Sequence, residues 1–389
     1  MNRRRLPWVL VVVVLVATLK IQAANAVVDN CGEATRLEQS FSSGAAWAIC
    51  VSVDEKHALE LSSVHYRAPG DTMRSVLEQM HLGQILVHHH HETESRAQIV
   101  DDSQSRLLAM NNRTCEGSSM LDYRGNMTLC SHVRDNRILA KYAQRPAVHS
   151  QRWELFSALQ RDGLVYTVSV SLTEDGQIVP AVSLSGRAPE SLTNPSFSEA
   201  LPASGQNLVR ATVLVTWRMV FNLDNSDYDQ VQQFDFPLNT TQNNTRPMQV
   251  SALDTEQFSN VDRGSFRGWR ISDTSGSGYY LDPSNNGFSF GSREHNWTQF
   301  DLALTRYRPC ERYALKNPSL YEGDARCGTN LDDFVSDEIM TDTHPVLWFS
   351  QSRTLHPSNE DWPAISNFYQ SFTLFPHDWT STSPFEVIQ

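Results

Sequence analysis

Four consecutive histidines, His88, His89, His90 and His91, are the residues whose type and spacing most directly suggest metal chemistry. Alternate side chains of an extended strand lie on one face, so a His-x-His pair can place two imidazoles side by side. Imidazole nitrogens are ligands for zinc and copper. The alternative is an exposed histidine tract, which we favour because the sequence fixes no further ligand.

Other common catalytic motifs are absent from the sequence. It contains no Gly-x-Ser-x-Gly nucleophile elbow, no phosphate-binding glycine loop and no CxxC pair. The formal net charge is −12 and the isoelectric point is near 5.5. This balance disfavours nucleic acid as a partner, because binding its phosphates requires a basic surface.

The elements that would position any site are short alternating strands. Gly, Pro, Asn and Asp separate them, a pattern typical of an all-β sandwich or barrel. One short helix is predicted at 71–80, where Asp71 can cap the first turn, and long loops are predicted at 239–244 and 272–286. The predicted strands are 47–53, 59–66, 164–172, 178–184, 209–223, 288–290 and 302–307.

The chain begins like an exported protein. Three arginines, an apolar run and the small residues Ala24-Asn25-Ala26 predict a signal peptide over residues 1–26. A retained membrane anchor is the alternative, but the apolar run is shorter than the roughly 20 residues that span a bilayer. We therefore expect a secreted, extracellular chain with no membrane span after cleavage, and one large β domain over 27–389.

Sequons and cysteines agree with export. An even number of cysteines in an exported chain indicates disulfides. The six cysteines allow 15 pairings, but they fall into the near-neighbour pairs Cys31–Cys50, Cys115–Cys130 and Cys310–Cys327. Predicted N-glycosylation sites, which indicate surface loops, are Asn112, Asn126, Asn239, Asn243 and Asn296.

An ordered set of segments resembles the catalytic domain of copper amine oxidases. In the C-terminal third these are LALTRY at 302–307, DDFVSD at 332–337, VLW at 346–348 and EDWP at 360–363. Upstream, FSSGAAW at 41–47, LELSSVHY at 59–66, the stretch between Cys115 and Cys130, and DGQIVP at 175–180 continue the likeness. The resemblance spans nearly all of the chain after the signal peptide.

The resemblance implies a mainly β fold, a large β-supersandwich with few short helices, that pairs into homodimers. It also implies an activity: oxidation of primary amines by O₂ and water to aldehyde, ammonia and hydrogen peroxide. Copper and topaquinone, a quinone made from one of the enzyme's own tyrosines, are the cofactors of such enzymes.

The positions that this resemblance assigns to the cofactors carry aliphatic residues. Counting back from Asp175-Gly176 puts Leu164 at the quinone-forming tyrosine, and leucine has no ring to oxidise. The copper-ligand positions become Ala211, Val213 and Leu355, with His356 one place later and therefore on the other side of an extended chain. The catalytic base corresponds to Asp101 or Asp102, and the sequence does not choose between them.

Three hypotheses follow. The first is a secreted, catalytically inactive homologue, a pseudoenzyme, that needs no cofactor and acts through binding or assembly, with an extracellular protein or glycan as its unidentified partner. The second is an active copper and quinone enzyme whose ligands are aligned differently. The third is a separate metal site in the tract from His88 to His91.

Overall fold

The computed structural model describes residues 31–90, 95–98, 104–115, 119–123, 125–140, 148–187, 196–226, 228–241, 244–283, 295–315, 327–341, 343–381 and 385. The predicted strand at 288–290, the base candidates Asp101 and Asp102, His91 and Asn243 lie outside these residues. No helix within these ranges has both the length and the apolar character needed to cross a membrane.

The described residues form 23 strands, numbered here along the chain. The first eleven are β1 Thr35–Ser40, β2 Ala46–Ser52, β3 Glu60–Arg67, β4 Arg74–His89, β5 Ser95–Gln98, β6 Arg106–Leu107, β7 Ser119–Tyr123, β8 Asn126–Ala140, β9 Val148–Arg161, β10 Leu164–Thr173 and β11 Ile178–Arg187. The remaining twelve are β12 Ser198–Leu201, β13 Gln206–Val209, β14 Ala211–Phe221, β15 Gln230–Asp235, β16 Gln249–Ala252, β17 Gln257–Ser259, β18 Gly268–Ser272, β19 Gly278–Asp282, β20 Leu302–Arg306, β21 Pro345–Leu355, β22 Ala364–Ser371 and β23 Thr373–His377.

Helical structure among the described residues is limited to four short segments. The α-helix α1 is Leu331–Phe334, and the 3₁₀ segments are Leu223–Asn225, Asn296–Gln299 and Asn359–Asp361. The side chain of Asn330 accepts a hydrogen bond from the backbone N–H of Asp332, which caps the start of α1.

Two large antiparallel sheets build the fold. One contains nine strands in the order β1-β2-β3-β4-β14-β21-β20-β17, with β5 beside β4. The other contains twelve in the order β16-β15-β18-β19-β23-β11-β10-β9-β8-β7, with β22 beside β11 and β6 beside β9. β12 and β13 form a separate hairpin. The mainly β sandwich expected from the sequence is therefore confirmed.

The main hydrophobic core lies between the two large sheets and draws side chains from both. β10 shows how the sequence produces this packing, because its alternation buries Leu164, Tyr166 and Val168 and leaves the residues between them half-buried. Trp47 of the first sheet donates a hydrogen bond from its indole Nε1 to the carbonyl of Thr173, 2.8 Å away. The sheets are thus joined by buried hydrogen bonds as well as by apolar contact.

A second apolar cluster covers the outer face of the nine-stranded sheet. Leu214 and Val220 of β14 and Trp348 of β21 pack there against Trp297 and Phe334. The rings of Phe334 and Trp348 have their centroids 5.8 Å apart. The central strands of this sheet are therefore buried on both faces.

Burial on both faces explains why the helix predicted at 71–80 is wrong. That segment enters β4, which pairs with β3 on one side and β14 on the other. Ser75, Val76 and Leu77 are all buried in succession, so the apolar spacing that suggested a helix reflects a strand covered on both sides. Pairing with two neighbouring strands overrides the local helical preference.

The loop predicted at 272–286 is wrong in its middle part. β18 ends at Ser272, a tight turn follows in which Gly276 has a φ of +90°, and β19 begins at Gly278. Tyr279 in β19 is fully buried, and its hydroxyl donates a hydrogen bond to the carbonyl of Gly176, 3.1 Å away. Burial of one aromatic side chain outweighs the turn-rich composition on either side of it.

The three predicted disulfides are present. They join Cys31 to Cys50, Cys115 to Cys130 and Cys310 to Cys327, and no cysteine is free. Of the predicted glycosylation sites, Asn112, Asn126 and Asn296 are exposed and Asn239 is half-exposed, which leaves each accessible for modification.

Candidate functional site

Leu164 is the first residue of β10, directly after the β9–β10 turn and at the end of the strand away from the β10–β11 turn. It lies opposite Arg161 of β9 and Gly186 of β11, and 5% of its surface is exposed. Tyr166, two residues along the strand, points to the same face and is 1% exposed. Burial raises the pKa of the Tyr166 phenol well above its ordinary value.

Ala211 is the first residue of β14 and lies between two neighbouring strands of the first sheet. Its partner is His89 in β4 on one side and Leu355 in β21 on the other. Residues directly opposite one another in antiparallel strands present their side chains on the same face. His89, Ala211 and Leu355 therefore form a row across three strands.

The row faces Leu164 across a small cavity between the sheets. The cavity measures about 20 Å³, which is room for about one water molecule. Three of the four positions that sequence comparison assigned to the quinone and copper meet here. The lining residues are Val87, His89, Leu164, Leu184, Leu208, Val209, Ala211, Leu355, Pro357, Asp361 and Ile365.

The fourth position, Val213, lies beside the cavity and not in its wall. It is 1% exposed and belongs to the same core cluster as Leu164 and Ala211. Its backbone carbonyl accepts a hydrogen bond from Gln370 at 3.2 Å. All four positions are thus in one continuous core, where their side chains supply only aliphatic carbon.

Two side chains with metal-binding atoms line the cavity, His89 and Asp361. Asp361 is already engaged, because its Oδ2 accepts hydrogen bonds from the backbone N–H and the hydroxyl of Ser358 at 2.9 and 3.2 Å. A single imidazole beside Leu164, Ala211 and Leu355 does not fit a copper site of three imidazoles, and no phenol lies at position 164 for a quinone. The residues present therefore fit neither copper nor topaquinone.

Two described histidines next to this region, His88 in β4 and His90 directly after β4, lie on the opposite face of the sheet. His88 is opposite Thr212 in the sheet, and the ring centroids of His88 and His90 are 5.7 Å apart. His90 Nε2 is 3.0 Å from the hydroxyl of Thr212. Burial, together with the charges of Arg210 and His356, lowers the pKa of His90 below its ordinary value. Adjacent residues of an extended chain face opposite ways. Leu355 and Pro357 line the cavity, and His356 between them therefore faces away from it.

A buried polar cluster that the sequence reading did not identify lies at the β2–β3 turn. His57 is 2% exposed, and its Nδ1 is 3.0 Å from Asp54 Oδ2 and 3.8 Å from Glu60 Oε2. Although burial opposes it, the hydrogen bond and charge of His57 lower the pKa of Asp54. Glu60 is also paired with Arg312 at 2.7 Å, so its charge is balanced within the protein. The spacing D-x-x-H-x-x-E was visible in the sequence, but Arg312 joins only in three dimensions.

Comparison with known proteins gives one family. Residues 216–388 match the profile of the copper amine oxidase enzyme domain. A comparison with curated protein sequences finds no significant match.

Solved structures of two amine oxidases and a lysyl oxidase share the fold. A copper-containing benzylamine oxidase from Hansenula polymorpha superposes with a TM-score of 0.73 at 15% identity, covering 88% of this chain and 60% of that one. An amine oxidase from Aspergillus nidulans gives 0.69 at 14% identity, covering 100% and 57%. A lysyl oxidase from Pichia pastoris gives 0.67 at 12% identity, covering 87% and 52%. The chain thus spans between half and three fifths of the length of these structures.

Proposed function

Because residues 216–388 match the copper amine oxidase enzyme domain, we propose that the chain is a member of that family that keeps the fold and lacks the oxidase chemistry. In this proposal it is a secreted, disulfide-bonded glycoprotein that acts through binding or assembly. It has no catalytic residues of the amine oxidase type, and it requires neither copper nor topaquinone for its function.

The observation that carries the proposal is the cavity lined by Leu164, Ala211 and Leu355. Amine oxidation by a quinone requires a carbonyl electrophile, and copper requires nitrogen donors. At this place the chain offers aliphatic side chains around about 20 Å³ of space. Pockets that bind small-molecule ligands typically measure about 300–1,000 Å³, so both the space and the chemistry argue against amine oxidation at this place.

Convergence supports the assignment of these positions. Each quinone or copper position is placed by counting residues from a sequence motif, and these motifs lie tens of residues apart. A one-residue error in a count would turn the side chain at that position to the opposite face of its strand. Leu164, Ala211 and Leu355 nevertheless line the same cavity, and His356, one place after Leu355, does not.

Export and glycosylation rest on independent features. The signal-like N terminus, the disulfides and the exposed asparagines of the sequons are each typical of a secreted chain. A homodimer, the arrangement that the resemblance implies, is the simplest assembly for this proposal, and an extracellular protein or glycan is the kind of partner it would bind.

The proposal is tested on the full secreted chain. A redox-cycling quinone stain of the denatured protein should be negative, and benzylamine and a simple aliphatic amine should release no hydrogen peroxide above a no-enzyme blank. An active copper amine oxidase prepared in parallel is the positive control. A positive stain together with amine-dependent peroxide would overturn the proposal and establish the alternative, an active enzyme whose ligands are aligned differently.

Copper content alone does not decide between these outcomes, because copper can bind imidazoles elsewhere on the molecule. The stain and the peroxide measurement report on the quinone directly.

Size-exclusion chromatography with light scattering tests the assembly separately: a mass of twice the glycosylated chain supports a homodimer, and the mass of one chain contradicts it.

A further inference from the structure

We propose that the N-linked glycan of Asn126 folds back into a groove between the two large sheets, where its first N-acetylglucosamine packs as part of the folded domain. This inference rests on the glycosylation proposed above. It goes beyond that proposal because it assigns a structural role to one particular glycan.

The groove lies between the β2–β3 turn of the nine-stranded sheet and the region of β6 and β8 in the twelve-stranded sheet. It measures about 560 Å³, which falls within the roughly 300–1,000 Å³ of sites that hold small molecules. Residues 53–56 line it from the first sheet, and Leu107, Ala109, Asn126 and Thr128 line it from the second. A sugar therefore has room to lie between the sheets.

The glycan begins at this groove. Asn126 and Thr128 are the first and third residues of one sequon, and both line the groove. Asn126 is also the exposed first residue of β8. A group joined through a short flexible connection has an effective concentration in the millimolar range, so contacts too weak to capture a free sugar are enough to hold this one. The chain's own glycan is therefore the occupant that we assign to the groove.

The lining matches the two kinds of surface that a sugar ring presents, its apolar C–H faces and its hydroxyl groups. Val53 is 1% exposed, Leu107 packs half-buried against the main core, and Ala109 is exposed. A ring placed over these side chains removes apolar surface from water.

The carboxylate of Asp54 supplies a polar contact beside this apolar surface. Its side chain is 40% exposed. Asp54 Oδ2 lies 3.0 Å from His57 Nδ1, and an oxygen with two lone pairs has the capacity to accept a sugar hydroxyl as well. A hydrogen bond to a charged acceptor is stronger than one between neutral groups, so Asp54 would fix the orientation of the ring.

Both sides of the groove are held in place by the fold. Asp54 Oδ1 accepts hydrogen bonds from the backbone N–H groups of Lys56 and His57 at 2.8 and 2.6 Å, which fixes the β2–β3 turn. On the other side, the disulfide between Cys115 and Cys130 anchors the first part of β8. A preformed groove lowers the ordering cost of holding the sugar.

Enzymatic release of glycans from the folded, secreted chain tests the inference. A peptide N-glycosidase is added to the native protein, and release at each asparagine is followed by peptide mass mapping. We expect release at Asn126 to be at least about tenfold slower than at Asn112, because the sugar must first leave the groove by a local opening. Asn112 is the matched control, since it is an exposed sequon residue in a turn. After reduction and unfolding, the two rates should be equal.

Two variants separate contact with the glycan from poor access of the enzyme. Ala109→Gln places a longer side chain in the groove and leaves the sequon intact, so native release at Asn126 should approach the rate at Asn112. Asn126→Gln removes the glycan and should lower the midpoint of urea unfolding, whereas Asn112→Gln should leave the midpoint unchanged.

The outcomes that overturn the inference are distinct. They are equal native release at Asn126 and Asn112, unchanged release in Ala109→Gln, or a midpoint for Asn126→Gln no lower than that for Asn112→Gln. An unmodified Asn126 in a chain that carries glycans elsewhere also overturns it and leaves the proposed function intact. A secreted chain without a glycan at any sequon refutes the proposed glycoprotein itself.

Discussion

Leu164→Ala is the substitution that best distinguishes a packed interior from a ligand pocket. The side chain is 5% exposed, and the change removes three carbons from the core. At about 0.8 kcal/mol for each buried methylene, the transfer contribution alone is roughly 2.4 kcal/mol. The existing void of about 20 Å³ corresponds to only about 0.5 kcal/mol at roughly 24 cal/mol per Å³, so the site is close to fully packed.

Incomplete collapse around the new space adds to the transfer contribution. We therefore expect Leu164→Ala to lower the free energy of unfolding by about 3–5 kcal/mol, the range found for buried leucines that pack well. The measurement is the midpoint and slope of urea unfolding with the disulfides intact. An unchanged slope would show that the midpoint reports stability and not a different unfolded state.

Thr167→Ala is the control for this experiment. Thr167 lies on the other face of β10 and is half-buried, so its loss should cost under about 1 kcal/mol. If Leu164→Ala cost no more than this control, position 164 would not be a packed core position. The argument that the site has been filled by ordinary interior would then be wrong.

Three further measurements test other parts of the structure. Gly176 has a φ of +86°, and a Cβ there would come within 2.7 Å of the Tyr66 ring. Gly176→Ala should therefore lower the free energy of unfolding more than Gly205→Ala, where φ is also positive but nothing lies within 4 Å. Equal losses of about 1 kcal/mol would show that the contact with Tyr66 is unimportant. Burial raises the pKa of Glu311 to about 7, although its bond to Arg308 opposes the shift. The stability that this group contributes is present below its ordinary pKa near 4.5 and is lost as pH rises through about 7. The Glu311→Gln variant should therefore lose less free energy of unfolding between pH 5 and 8 than the unmodified chain. Parallel pH profiles of the two proteins would contradict this. Enzymatic removal of N-linked glycans should lower the mass of the secreted chain, and Asn296→Gln should lower it by one glycan; no change in mass would refute glycosylation.

Local patterns predicted most of the sheet but failed where burial is two-sided. β10 and β11 could be read from the sequence because one face is more buried than the other, which preserves the period-two signal. β4 could not, since its residues are apolar or buried on both faces and the resulting run resembles a helix. The turn after β18 was recognised, yet β19 was missed because only contact with the β10–β11 turn shows that Tyr279 is buried.

The chemical content of the candidate site was determined by the sequence alone. No fold can give Leu164 a phenol or give Ala211 and Val213 imidazoles, because covalent structure limits what a position can bind. Only the tertiary structure decided which positions meet. It placed Leu164 of one sheet against Ala211 and Leu355 of the other around one cavity. In the nine-stranded sheet, the register of β4, β14 and β21 decides which side chains face that cavity and which, such as His88, face away from it. Register is a property of strand pairing, so the sequence of one strand does not determine it.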